Sequence, residues 1–187
     1  MHRLLLALPF ALLPGFAMTA ERLDHVHVHH DSLSAHEHGA AELDVALDAS
    51  TLEIDLRSPA INLVGFEHAP SSEADQRKIT NVRKQLEQPD TLFGLPAAAG
   101  CTLAETVLES PLFEDVAHEH DDDHKNQHSE IHAHYRYDCA ASRALLALDL
   151  QGLFKIFPGT EKIQAQLIGP NGQRGAQLDA GQPRAEF

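Results

Sequence analysis

Tryptophan is absent from the 187-residue chain, and two tyrosines with eight phenylalanines bring the aromatic share to only 5%. So few rings leave no stacking platform for nucleic-acid bases. Positive charge is scarce as well, with 14 Lys and Arg against 28 Asp and Glu and a formal net charge of −14. That balance lacks the basic footprint nucleic acid requires and disfavours an anionic membrane surface. The two methionines, Met1 and Met18, both fall near the start, which removes thioether ligands that select Cu(I) from the rest of the chain. Catalytic signatures are missing too: there is no Gly-x-Ser-x-Gly elbow and no Walker loop. Ala40 and Asp122 stand where His36-Glu37 and His118-Glu119 need a second histidine to complete His-Glu-x-x-His. His118-x-His120-x-Asp122 breaks off at Asp123, where a metallohydrolase motif needs histidine. A metallohydrolase is therefore the remotest reading, and no catalytic substrate is expected.

What the chain has in abundance is histidine, 14 residues, alongside 43% hydrophobic residues, enough for one packed core. The first twenty residues stand apart. His2-Arg3 and the apolar run Leu4 to Phe16, followed by small residues up to Ala17 and Ala20, have the layout of a cleaved secretory signal. Thirteen apolar residues fall short of the roughly 20 a membrane-spanning helix needs. The expected destination is an oxidising compartment outside the cytoplasm. Cleavage there leaves a chain of still higher acidity and two cysteines, Cys101 and Cys139. In an oxidising compartment that pair reads as a disulfide in preference to a metal site. Closing so long a loop stabilises by roughly 3–4 kcal/mol in the chain-entropy model. Imidazole and carboxylate remain as metal ligands.

The histidines are clustered. His25, His27, His29, His30, His36 and His38 form one group, and His118, His120, His124, His128, His132 and His134 a second. His68 stands alone. Residues 21–34 read as a flexible His-rich tail, and 35–187 as one β-rich α+β domain with antiparallel hairpins, one clear helix and a mobile His/Asp-rich loop at 114–130. Alternation in Leu43, Val45, Leu47 and again in Leu52, Ile54, Leu56 predicts a hairpin turning at Asp48-Ala49-Ser50. Ile61 to Phe66 reads as a buried connection. Ser72, with Asp75 three residues on, predicts the helix start, Ile79, Val82 and Leu86 its apolar stripe, and Pro89 its limit. Cys101–Leu108 and Ala133–Cys139 read as strands that pair near the disulfide. Leu145 to Phe157 is apolar without clear period. Ile163–Ile168 reads as a strand before a turn at Pro170-Asn171-Gly172.

Imidazoles at i and i+2 point to the same side of an extended chain. His25-x-His27-x-His29-His30, His36-x-His38, His118-x-His120 and His132-x-His134 all have that spacing. Nitrogen ligands with carboxylate help suit Zn(II), and also Ni(II) and Cu(II). No single pair saturates a zinc ion, which takes about four ligands, so an ordered site needs pairs from different elements. Asp121-Asp122-Asp123 lacks the spacing and glycine of a calcium loop. A solvated linker accounts for charge but not for the histidine density, and proton sensing uses the same nitrogens that bind metal. For His68, within Val64-Gly-Phe-Glu-His-Ala-Pro70, a hydrogen-bonded loop role is the commoner fate.

Two stretches then take on meaning together: His36-Glu-His-Gly-Ala-Ala-Glu-Leu-Asp-Val-Ala-Leu47 and Ser58-Pro-Ala-Ile-Asn-Leu-Val-Gly-Phe-Glu-His-Ala-Pro70. With Leu95-Pro-Ala-Ala-Ala-Gly-Cys101, Ala133-His-Tyr-Arg-Tyr-Asp-Cys139 and Phe154-Lys-Ile-Phe-Pro-Gly159, they resemble the ZrgA family of periplasmic zinc-uptake proteins of Gram-negative bacteria. The resemblance implies a protein that captures zinc and supports its import beside an inner-membrane metal transporter, and it gives His36, His38 and His68 importance. The expected arrangement is a tighter Zn(II) site from His36/His38, His132/His134 and His68, with weaker sites on the tail and on His118, His120, His124 and His128. The alternatives are a non-selective buffer of Zn, Ni and Cu, and a metal sensor or adaptor. Oligomeric state is left open.

Overall fold

The protein is described from a computed structural model in which residues 37–113 and 129–187 are defined. The expected signal, the tail, and the histidines at 25, 27, 29, 30, 36, 118, 120, 124 and 128 lie outside the described residues.

The predicted hairpin forms from β1 (Ala40–Asp48) and β2 (Thr51–Pro59), paired antiparallel from Glu42↔Arg57 to Asp48↔Thr51. Its loop is only Ala49-Ser50, with Ala49 at φ 51°. The Ile61–Phe66 connection is not extended. It contains a short helix, α1 (Ala60–Val64), and Leu63, Val64 and Asn62 are buried there. The expected helix follows as α2 (Glu73–Leu86), its N-terminus capped by Ser72 Oγ accepting from Asp75 N. The reciprocal half of the capping box shifts by one residue, since the Asp75 carboxylate accepts from Ser71 N and Oγ rather than from Ser72.

Strands β3 (Cys101–Glu109) and β4 (Glu130–Cys139) pair antiparallel with Cys101 opposite Cys139, and the disulfide joins them. β4 begins before the sequence pattern suggested, because His132 alternates outward between buried Ile131 and Ala133. The loop expected at 114–130 is accordingly too long: Ser129 is buried and Glu130 already pairs with Pro59. The ambiguous 145–157 stretch divides into β5 (Ala147–Asp149) and α3 (Gln151–Ile156). β6 (Lys162–Gly169) and β7 (Gly172–Asp179) form the last hairpin. Its loop is Pro170-Asn171, and Gly172 opens β7 at φ 109° instead of sitting in the turn. β8 (Arg184–Glu186) pairs with β5 in a small second sheet.

The main sheet has six strands in the order β3-β4-β2-β1-β6-β7. All neighbours are antiparallel except β1 and β6, which run parallel from Ala40↔Lys162 to Ala46↔Ile168. One sheet face packs with α1, α2 and α3 into a single core that includes Leu43, Ile54, Leu86, Tyr135, Phe154 and Ile163. The buried tyrosines lash sheet to helix: Tyr135 donates to Leu86 O and Tyr137 to Asp90 Oδ1, each at 2.9 Å. The opposite face carries Glu42, Asp44, Asp55, Arg57, His132, His134 and Arg136 toward solvent.

Candidate metal centre

Two places gather the described histidines, and α1 organises the first. Asn62, 4% exposed, accepts from Gly39 N at 2.7 Å and donates to Ala40 O at 2.8 Å and Ser58 Oγ at 3.1 Å. These bonds hold the start of β1 against α1. Gly39 turns there at φ 83°, a conformation costly for any residue with a Cβ. Gly159 closes on the same spot, where a Cβ would lie 2.5 Å from Asn62 O. On the other side Ala60 N donates to Ser129 O at 2.8 Å, and Ser129 Oγ donates to Glu67 O at 3.2 Å. Gly39, which follows His38 at the end of the first histidine-rich stretch, and Ser129, within the second, thus meet at one elbow, 58–68. His38 Nε2 lies 3.5 Å from Glu67 Oε1, an oxygen shielded from solvent. Lys162 Nζ donates to Glu37 Oε1 at 2.7 Å and anchors the same segment to β6.

His68 is placed beside this elbow but held locally. Its ring stacks on buried Phe66 at 4.7 Å, and its Nδ1 lies 2.9 Å from Ala69 O. A carbonyl only accepts, so that contact puts the proton on Nδ1 and the lone pair on Nε2. Metal-ligating histidines are commonly oriented in this way by a backbone carbonyl.

The second place is the open sheet face. His132 and His134 both point outward from β4, as their spacing predicted, and the register of three strands surrounds them. Asp55 on β2 stands opposite His134, and Glu109 on β3 stands opposite His132. His134 Nδ1 lies 3.0 Å from Asp55 Oδ1, His132 Nε2 lies 3.4 Å from the same oxygen, and His132 Nδ1 lies 3.7 Å from Glu109 Oε2. With Val107 these four residues line a shallow cavity of about 290 Å³. Asp55 is also directly opposite Asp44 on β1, an unfavourable like-charge pair that Arg57 offsets by donating to Asp44 Oδ2 at 2.6 Å and to Glu42 Oε2 at 3.2 Å. Its hydrogen bond to Asp44, with Glu42 adding to it, pushes the Arg57 guanidinium pKa further up.

As the side chains stand, no group of three or more His, Cys, Asp or Glu among the described residues is disposed to hold a metal ion. On the open face the imidazoles turn toward the carboxylates, with His134 hydrogen-bonded to Asp55. Asp55, Glu109 and Glu67 were not among the expected site residues. Asp55 shows in the sequence only as one polar position of an alternating strand, and Glu109 only as the end of another. Cross-strand register was the missing information.

No curated protein matches the chain. The family profile described as ZrgA family zinc uptake protein matches residues 35–187, which take in the elbow, both described histidine clusters and the disulfide. The chain belongs to the ZrgA family of zinc uptake proteins.

Proposed function

We propose that the protein captures Zn(II) outside the cytoplasmic membrane and passes it to a metal transporter, with zinc as cargo and no catalytic role. The observation that carries this reading is that both histidine-rich stretches are tied to one elbow, the first through Gly39 beside His38 and the second through Ser129 between His128 and His132. Chain segments rich in imidazole that are tethered to one elbow raise the effective metal concentration around it. The ordered partners in the reading are His36, His38, His68, His132 and His134, and the weaker ones are His25, His27, His29, His30, His118, His120, His124 and His128. A net charge of −14 adds long-range attraction for divalent cations. Export through residues 1–20 and the transporter partner belong to this proposal.

The test is a calorimetric zinc titration of the chain lacking residues 1–20, with a competing chelator, and with nickel and copper run in parallel. At least one tight, zinc-preferring site together with several weaker ones is the expected result. Uniformly weak binding without preference among the three metals would replace capture with non-selective buffering. Metal-dependent binding to a partner without zinc transfer would favour a sensor or adaptor.

A further inference from the structure

Resting on zinc as the cargo, we infer that the open sheet face holds a zinc exchange site whose ligands are His132 Nε2 and Asp55 Oδ1, with Glu109 and His134 as positioning residues. The argument begins with a distance. His132 Nε2 and Asp55 Oδ1 are 3.4 Å apart, and Nε2 is buried yet makes no hydrogen bond among the described residues. Two ligand atoms bound to one zinc at 2.0–2.1 Å in tetrahedral geometry are separated by about 3.3–3.4 Å. The gap is too long for a good hydrogen bond and matches the span across a metal ion.

The flanking groups complete the chemistry. A ligating histidine needs its other nitrogen protonated and held by an acceptor. Glu109 Oε2 faces His132 Nδ1 at 3.7 Å from a side chain that is 71% exposed, so a small rotation closes that hydrogen bond and leaves the Nε2 lone pair for zinc. His134 Nδ1 donates to Asp55 Oδ1 at 3.0 Å and fixes the carboxylate from the other side. The order is Glu109, His132, zinc, Asp55, His134, laid across β3, β4 and β2. Two protein ligands leave the remaining positions to solvent, which suits a site that must release its ion. Its place suits exchange too. His132 and Glu109 also border a second hollow that reaches Phe113 and Glu130, on either side of the histidine-rich insert.

The deciding experiment is long-range ¹H–¹⁵N NMR of the imidazoles in the chain lacking residues 1–20, titrated with zinc sulfate, with circular dichroism on every variant to confirm the fold. We expect zinc to shift His132 Nε2 while Nδ1 keeps its proton. Asp55→Asn should abolish that shift. Glu109→Ala and His134→Gln should weaken zinc at His132 by about 10–100-fold, the usual loss when an outer partner is removed. In Glu109→Ala the His132 ring should also lose its Nδ1–H preference, a signature that a merely structural role would not produce. Zinc that shifts other histidines but not His132, or that binds His132 unchanged in Asp55→Asn, overturns the exchange site and leaves zinc capture standing. A chain that binds no zinc overturns both.

Discussion

Asn62 shows how much one side chain contributes to the candidate centre. Its amide makes three hydrogen bonds in a buried position and joins β1, β2 and α1. Asn62→Ala leaves Gly39 N–H and Ser58 Oγ without that partner, and removing a buried partner costs the desolvation of what remains. We expect a loss of about 2–3 kcal/mol, read as a lower urea midpoint at unchanged slope. Tyr135 and Tyr137 give a second residue-level outcome, because they are the only tyrosines in the chain. Burial pushes both hydroxyls well above the ordinary phenol range, and for Tyr137 the bond to Asp90 pushes the same way. A folded-state pKa above the unfolded one stabilises the fold fully below the unfolded value, and the benefit is lost as pH rises beyond it. Tyrosinate absorbance at 295 nm should therefore not rise through pH 10 as a free phenol's does. It should rise later, together with the loss of the sheet's circular dichroism. Ionisation at pH 10 with the sheet intact would show that the hydroxyls are accessible.

At the scale of elements, α2 was readable because its signals are local. Ser72 caps it, Glu73 and Asp75 place acids in the first turn, and Arg83 and Lys84 place bases in the last. That charge order matches the helix dipole. The bond from Ser72 and those from Ser71 hold the Asp75 carboxyl below its usual range, so its support for the cap is present above the unfolded carboxylate pKa. That support is lost as pH falls through the lowered folded value. Ser72→Ala should cost about 1 kcal/mol in thermal or urea unfolding. A neutral result would mean the helix N-terminus is held by α1 packing alone. The β1–β2 hairpin was similarly legible from period-2 alternation. α1 was not, since five apolar residues between Pro59 and Gly65 carry no period long enough to separate a helical turn from an extended stretch.

At the scale of the whole molecule, the histidine-rich insert is the connection of the β3–β4 hairpin, and the disulfide closes that hairpin at its far end. Residues 114–128 can therefore be shortened without removing a strand of the sheet. Ser129 must be kept, because its carbonyl accepts from Ala60 N and its hydroxyl donates to Glu67 O. Replacing residues 116–127 with a short Gly-Ser linker should leave the unfolding midpoint nearly unchanged and reduce the number of zinc ions bound, counted by calorimetry. A collapse of the fold would show that the insert packs on the domain. An unchanged zinc count would remove the insert from the capture reading.

Local chemistry in the sequence by itself determined the basic-then-apolar order of residues 1–20, the two histidine clusters, the Ser72 cap, the β1–β2 alternation and a cysteine pair fit for a disulfide. Each depends on residues a few positions apart or on composition, and so does the family resemblance carried by contiguous motifs. Tertiary structure alone decided that β1 runs parallel to β6, that Asn62 clamps Gly39 while Ala60 holds Ser129, and that Asp55 stands between His132 and His134. The last pairing spans 79 positions in sequence. Strand alternation says which residues share a face, but register between strands is set by packing of the whole core. The carboxylate partners of the histidines therefore became visible only once the sheet was assembled.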